Sequence, residues 1–407
     1  MIRKSYISIN CALILFLWGG LSTCVLSGAS FAQIDTKYVS QDLIVGEVLG
    51  KVDPGDLLKL IQSNYYPVIR KNSGIELKKV KSSDREVIYQ VLYPDKNSSN
   101  RPTRIIFRFF TSEHSLIAAI ITDEIDFAIT ESYDAAEEIH KATSTFLIHF
   151  RYKDKNLVKM IAYNNQHPIL RKKNVRKALT HAINRKYIFN KLLRQNGYFA
   201  DGPLSDESKL HISGLDEYKF NPKKALQLLR NENWQDSNGD GVLDKNGQPF
   251  RISIIYEKGV LLEEQLATRI KIDWNKIGID VIRKPLIKNE IKNRLAQQNY
   301  DVLLMNYLFE ETINSFESFF KSTGSENILG YKNRRVDRLM NLYKMQKPPS
   351  ISQKVLLQAI QKQINEDHPA AFLFFLWVDR YFVNRNKFTN FQLKGELLPF
   401  TEWNLKK

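Results

Sequence analysis

The sequence predicts an α/β fold. Strand-like and long helical segments alternate from residue 250 to 307, and such alternation is the mark of α/β layering. The strongest helical pattern, 173–194, follows a strand-like segment at 157–163, and short aliphatic runs such as Ile125-Asp126-Phe127-Ala128-Ile129 read as buried strands. Composition agrees. The 407 residues are 43% hydrophobic and 26% charged, with only 18 Gly, 13 Pro and 2 Cys. That excludes a disordered, collagen-like or disulfide-scaffold chain. At roughly 100–200 residues per domain the length fits two or three domains. Lys and Arg number 60 against 44 Asp and Glu, a formal charge of +16. This raises nucleic acid, membrane surface and anionic ligands as partners and selects none of them.

The chain opens with a secretory layout: Arg3 and Lys4, an apolar run from Cys11 to Val25, then Ser30-Phe31-Ala32 with small residues at −3 and −1. Cleavage is expected before Gln33, making 1–32 a signal peptide. The alternatives are a membrane anchor, argued against by the interruptions at Gly19, Gly20, Ser22 and Thr23, and lipoprotein anchoring at Cys24. After cleavage no cysteine remains, so disulfides, thiol nucleophiles and Cys-based zinc sites are excluded together.

Residues 42–48 read as a strand, Val52-Asp53-Pro54-Gly55 as a turn, and Leu57, Leu58, Leu60 and Ile61 as one face of a helix. Strands are expected at 75–80, 86–92 and 104–110, a helix at 116–120, a strand at 125–129, a helix at 133–141, and strands at 145–151 and 157–163. The helix at 173–194 rests on Val175, Ala178, Leu179, Ala182, Ile183, Phe189 and Leu193, which fall on one 3.6-residue stripe. Asn221-Pro222 supplies an N-cap and an N1 proline for a helix to about 231. Strand 250–256, helix 261–276, strand 279–284, helix 288–297 and strand 300–307 follow. Helices at 314–321, 333–345 and 351–366 and strands at 371–376 and 379–384 complete the order.

Enzyme signatures are missing. The seven histidines are scattered without metal-ligand spacing, and there is no nucleophile elbow, Walker A loop or G-x-G-x-x-G. No catalytic residue, metal or cofactor is assigned. Asp236-Ser237-Asn238-Gly239-Asp240-Gly241-Val242-Leu243-Asp244 matches the start of a calcium loop, but position 12 is Gly247 where a bidentate Glu is needed. A plain Asx/Gly turn is the favoured reading. Residues 151–200 hold thirteen Lys and Arg and one acid, Asp154. In an exported protein a nucleic-acid face is disfavoured, and a solvated helix surface or peripheral contact with anionic membrane lipid explains them better.

Several segments together resemble the family 5 extracellular solute-binding proteins, the peptide- and nickel-binding components of ABC importers. Val175-Arg176-Lys177-Ala178-Leu179-Thr180-His181-Ala182-Ile183-Asn184-Arg185 is similar to V-R-x-A-L-x-x-A-I-D-R, with Asn184 in place of Asp. Tyr163-Asn164-Asn165-Gln166-His167-Pro168 resembles the approach to that helix. Phe220-Asn221-Pro222-Lys223-Lys224-Ala225 with Leu228, Leu229 and Trp234 resembles Y-D-P-x-K-A-x-x-L-L-x-x-x-G-W and leads into the Asp/Gly turn. Ile277-Gly278-Ile279-Asp280-Val281, Tyr300-Asp301-Val302, Gly330-Tyr331 and Asn365-Glu366-Asp367-His368-Pro369 continue the order.

The resemblance implies two α/β lobes joined by a hinge: 33–163 plus 385–407, shortened, and 164–384. Between the Val52-Asp53-Pro54 turn and about residue 75 the chain is much shorter than a usual member, so the family's small extra domain is expected to be missing. A solute would bind between the lobes and be delivered to membrane permease subunits, from the periplasm and as a monomer. By the register of peptide-binding relatives, Tyr307 and Glu310 would hold the solute's ammonium group, with Glu311 as the alternative acid. Tyr163 and Asn164 sit at the implied hinge and either reach the cleft or serve packing and strand pairing. The competing reading is a solute-binding fold retained as a scaffold or signalling partner.

Overall fold

Runs of aliphatic residues buried on both faces build two sheets. The computed structural model describes residues 42–48, 75–94, 100–130, 132–143, 146–152, 155–346, 351–376, 378–389 and 404–405. The expected leader, the Val52-Asp53-Pro54 turn and the helix through Leu57–Ile61 lie outside the described residues. All described residues belong to one unit, Gln41–Lys407.

The strands in chain order are β1 Asp42–Val48, β2 Glu76–Ser82, β3 Glu86–Leu92, β4 Arg104–Phe110, β5 Phe127–Thr130, β6 Phe146–Tyr152, β7 Leu157–Tyr163, β8 Tyr198–Phe199, β9 Asp244–Lys245, β10 Gln248–Pro249, β11 Arg251–Glu257, β12 Asp280–Leu286, β13 Val302–Leu308, β14 Ala370–Phe375, β15 Val378–Asn384, β16 Phe388–Thr389 and β17 Asn404–Leu405. The main helices are α1 Glu113–Ile121, α2 Tyr133–Ala142, α3 Lys173–Ala182, α4 Pro222–Asn231, α5 Leu261–Asn275, α6 Lys288–Ala296, α7 Ile313–Phe320, α8 Arg334–Met345 and α9 Ile351–Asp367.

The first sheet has the order β2-β3-β4-β1-β5-β15-β6 and the second β12-β11-β13-β7-β14-β8. Strand membership differs from the division expected from the sequence. β7 belongs to the second sheet, paired along its length with β13, and β15 to the first, paired with β5 and β6. The chain therefore passes from the first sheet to the second between β6 and β7 and back between β14 and β15, whereas the divisions expected from the sequence fall at 163/164 and 384/385. The reason is hydrophobicity on both faces: Val158 through Tyr163 are all buried, which suits the middle of a sheet rather than a connecting segment. At the other extreme, β2 is an edge strand exposed almost throughout, and Lys78, Lys79 and Lys81 discourage further pairing there.

The long helix expected over 173–194 is interrupted. α3 ends at Ala182, and Ile183 takes an extended conformation. Asn184 then starts a new turn, its side chain accepting from the Tyr187 amide at 2.9 Å while its own amide donates to Asp273 at 2.9 Å. Residues 188–192 continue as a π-turn. Helical periodicity survives the break because Ile188 and Leu193 still face the core around Trp274.

Beneath α3 lies a buried polar network. Arg176 donates to the carbonyls of Leu170 (2.7 Å), Asp367 (2.6 Å) and His368 (2.8 Å). The Thr180 hydroxyl meets His368 Nε2 at 2.7 Å and the Tyr163 hydroxyl at 2.9 Å. Burial, helped by Arg176, Lys177, His181 and Arg185 nearby, holds the His368 imidazole well below its ordinary value. Burial also lowers His167 and His181. An unfolded chain binds protons that these folded imidazoles refuse, so stability is complete above about pH 6.5 and declines as pH falls below it. We expect the urea midpoint to drop between pH 7.5 and 5, and His368→Gln to flatten that slope. An equal slope in the variant would remove His368 from the explanation.

Candidate ligand-binding site

Parallel strands put their carboxyl ends at one edge of a sheet, where α/β proteins place ligands. In the second sheet that edge is split. β11 and β13 pair only at Ile254↔Val302 and Ile255↔Leu303, although β11 stays on β12 to Leu286 and β13 stays on β7 to Leu157. A cavity of about 720 Å³ occupies the split. It runs along β13 from Gln298 past Leu303, Leu304, Met305 and Asn306, and reaches Glu257 and Glu263 at the end of β11 and start of α5. Lys288 and Lys292 of α6 and the turn at Gly324-Ser325 form its other walls.

The floor near α5 is charged and buried. Lys159 is 1% exposed and forms an ion pair with Glu263, which is 6% exposed. Two residues before Glu263, at Leu261, the lobes touch. Glu113, at the start of α1 in the first lobe, accepts from the Leu261 amide at 2.8 Å and from the Thr130 hydroxyl. Its own amide donates to Gly259 at 2.7 Å. A carboxylate is favoured there by the unpaired amides at the start of α5. Gln265 reaches across to Asp134 at 2.8 Å, and Arg194 lies 3.6 Å from the same carboxylate.

The residues expected at the site separate into three groups. Tyr307 lies within β13, its ring 4.2 Å from that of Phe319 and its hydroxyl donating to Glu326, beside the cavity wall at Ser325 and Asn327. Glu310 is exposed just beyond the strand, where its amide donates to Ser315 Oγ at 3.2 Å. Glu311 is committed elsewhere: Lys155 of the crossing segment pairs with it at 2.6 Å and holds its carboxyl below the ordinary value. Tyr163 and Asn164 do not line the cavity. Tyr163 is fully buried against α3, and Asn164 donates to the carbonyls of Gln298 (3.0 Å) and Tyr300 (2.8 Å), fastening the start of β13.

Among the described residues no group of three His, Cys, Asp or Glu side chains is placed to hold a metal. The Asp236–Asp244 loop spends its oxygens on itself: Asp236 accepts from the Gly239 and Gly241 amides at 2.8 and 3.0 Å, and Asp244 from Ser237. Gly239 and Gly241 both have positive φ, as a tight Asx/Gly turn requires.

Comparison with known proteins gives one consistent result. The family model for bacterial extracellular solute-binding proteins, family 5 Middle, matches residues 53–327. The oligopeptide-binding protein AppA of Bacillus subtilis is 30% identical over 222 residues, which are 53% of this chain and 40% of that protein. The nickel-binding periplasmic protein of Escherichia coli is 30% identical over 139 residues, 34% of this chain and 26% of that one. These matches span less than half of either relative. Among solved structures, AppA of Bacillus subtilis in complex with a nonapeptide superposes with a TM-score of 0.68 at 23% identity, covering 82% of this chain and 66% of that one. NikZ of Campylobacter jejuni in complex with Ni(L-His) gives 0.64 at 22%, covering 81% and 67%. At these identities the superpositions speak for the fold, a two-lobed one.

Proposed function

As the chain belongs to the bacterial extracellular solute-binding proteins of family 5, we propose that it captures a peptide-like or cationic solute between its lobes and delivers it from the periplasm to an ABC importer permease. The observation that carries this reading is the split between β11 and β13. Residues 304–308 of β13 pair with β7 along one edge, and the other edge borders the cavity. An extended peptide adds backbone hydrogen bonds to such an edge, with pockets left for alternate side chains. Tyr307 and Glu310 stand at the far end of the same strand, where an exposed carboxylate can meet a ligand ammonium as the lobes close. A charge-assisted pair of that kind contributes about 1.5–3 kcal/mol. Binding energy then biases a hinge at the two crossing segments, and no bond is made or broken.

The test is a thermal-shift screen of peptides, amino acids, metals and sugars, followed by Glu310→Ala. We expect a cationic peptide to raise the melting temperature, and Glu310→Ala to weaken its binding roughly ten- to hundredfold. Glu311→Ala should lower stability instead, because its partner is Lys155. An unchanged shift in Glu310→Ala would remove the assignment. The second reading, a scaffold or signalling partner, is favoured by Glu113, a protein carboxylate that joins the lobes at the start of α5. No shift with any compound, together with recovery of a protein partner, would select it.

A further inference from the structure

We propose that the second lobe carries a second small-molecule site, for a planar aromatic carboxylate, which goes beyond solute capture between the lobes. A cavity of about 750 Å³ lies at the β8 edge of the second sheet. Three strands separate it from β13 in the sheet order, and it shares no lining residue with the cavity in the β11–β13 split. Its volume is ordinary for a small-molecule site.

Three phenylalanines from three elements supply the apolar walls: Phe189 of the π-turn, Phe199 of β8, and Phe220 just before α4. Phe199 rests on Phe189 and Phe374, with ring centroids 4.9 and 5.7 Å away. It is nevertheless 41% exposed, and Phe220 is 44% exposed. A single apolar residue at a surface needs no explanation, but two large open rings on the walls of one cavity offer faces to a planar partner.

Charge selects an anion. Arg185 is buried at the base of the cavity, where it donates to the carbonyls of Ala200 (2.8 Å) and Glu217 and pairs with Asp201 at 3.0 Å. It thereby fixes the chain after β8 and the segment that carries Phe220. The Glu217 carboxylate pairs with Lys219 at 2.8 Å. Both acids on the wall are thus matched by a cation, and an aromatic ammonium would find no carboxylate left to hold it. Lys186 is the cation in excess: it is exposed and, among the described residues, forms no ion pair. Asn190, four residues on and exposed, places an amide beside it on the same helical face. An arene carboxylate satisfies both halves of this wall, its ring against Phe199 and Phe220 and its oxygens at Lys186 and Asn190. Arg185 and Lys186 belong to the basic stretch 151–200, so part of that excess acquires a ligand.

The experiment is isothermal titration of the chain beginning at Gln33 with 2-naphthoate, 2-naphthylmethylammonium and cyclohexanecarboxylate. Saturable binding is expected for 2-naphthoate, with the other two weaker by about tenfold. Phe220→Ala should weaken 2-naphthoate about tenfold and Lys186→Glu about fivefold, with unchanged melting temperatures because both side chains are exposed. Glu310→Ala should leave 2-naphthoate binding as it is, and Lys186→Glu should leave any melting shift caused by a cationic peptide as it is, so the two sites stand or fall separately. No saturable binding of 2-naphthoate, equal binding of the ammonium probe, or equal binding by Phe220→Ala would overturn the proposal. So would loss of 2-naphthoate binding in Glu310→Ala, which would put the probe in the cavity beside β13.

Discussion

Replacing Arg176 with Met should cost about 3–5 kcal/mol of folding stability, read as a lower urea midpoint with an unchanged slope. Arg176 is 4% exposed and serves three carbonyls from two distant segments, Leu170 beside α3 and Asp367-His368 at the end of α9. Burial pulls its pKa down to about 10, so it remains charged at neutral pH. Methionine fills much of the volume and donates nothing, leaving three buried carbonyls without their donor at about 1–3 kcal/mol for each unsatisfied group. Relief from burying the charge offsets part of that sum. Arg176→Lys should fall between, because a single ammonium cannot reproduce the planar fork that reaches three acceptors. A wild-type midpoint in Arg176→Met would show that the network closes without its donor.

That network explains why the fold was readable and where reading stopped. The segment 175–185 carries a helix-period stripe, a familiar order of residues and a buried Arg, and all three follow from one packing arrangement. Alternating strand and helix through 250–307 was equally plain, since each strand is aliphatic and each helix is closed by Gly278 or the turn before Tyr300. The interruption at Ile183-Asn184 was not. Its cause is a hydrogen bond from the Asn184 amide to Asp273, a residue of another helix, and no local pattern encodes a partner so far along the chain.

The site was legible only in part. Tyr307 and Glu310 lie beside the cavity and beyond its strand, but the register gave no hint that Glu311 would be drawn to Lys155 in the crossing segment. Tyr163 and Asn164 were adjacent in sequence to the implied hinge, whereas the crossing itself lies before β7. Glu113 was invisible because its contact with Leu261 joins two lobes that the sequence describes separately. One signal was present and unused. Leu157-Val158-Lys159-Met160-Ile161-Ala162-Tyr163 holds a single lysine in an otherwise apolar central strand, and a lysine in that setting requires a buried acid.

The acid is Glu263, and separating the pair should produce the second large effect. Lys159→Met leaves Glu263 buried opposite a thioether and is expected to cost about 3–5 kcal/mol. Glu263→Met should cost a comparable amount, with the added loss of a carboxylate favoured in the first turn of α5. The double variant should recover most of either loss, because two apolar side chains of similar volume replace two desolvated charges. A double-mutant cycle by urea denaturation measures the coupling, and additive losses would mean that the two side chains act independently. Recovery of stability would also separate folding from function. Glu263 lines the cavity and Lys159 lies immediately behind it, so a stable double variant that no longer shows the solute-induced melting shift would place the pair's role in binding. One that keeps the shift would confine the pair to holding β7 against α5.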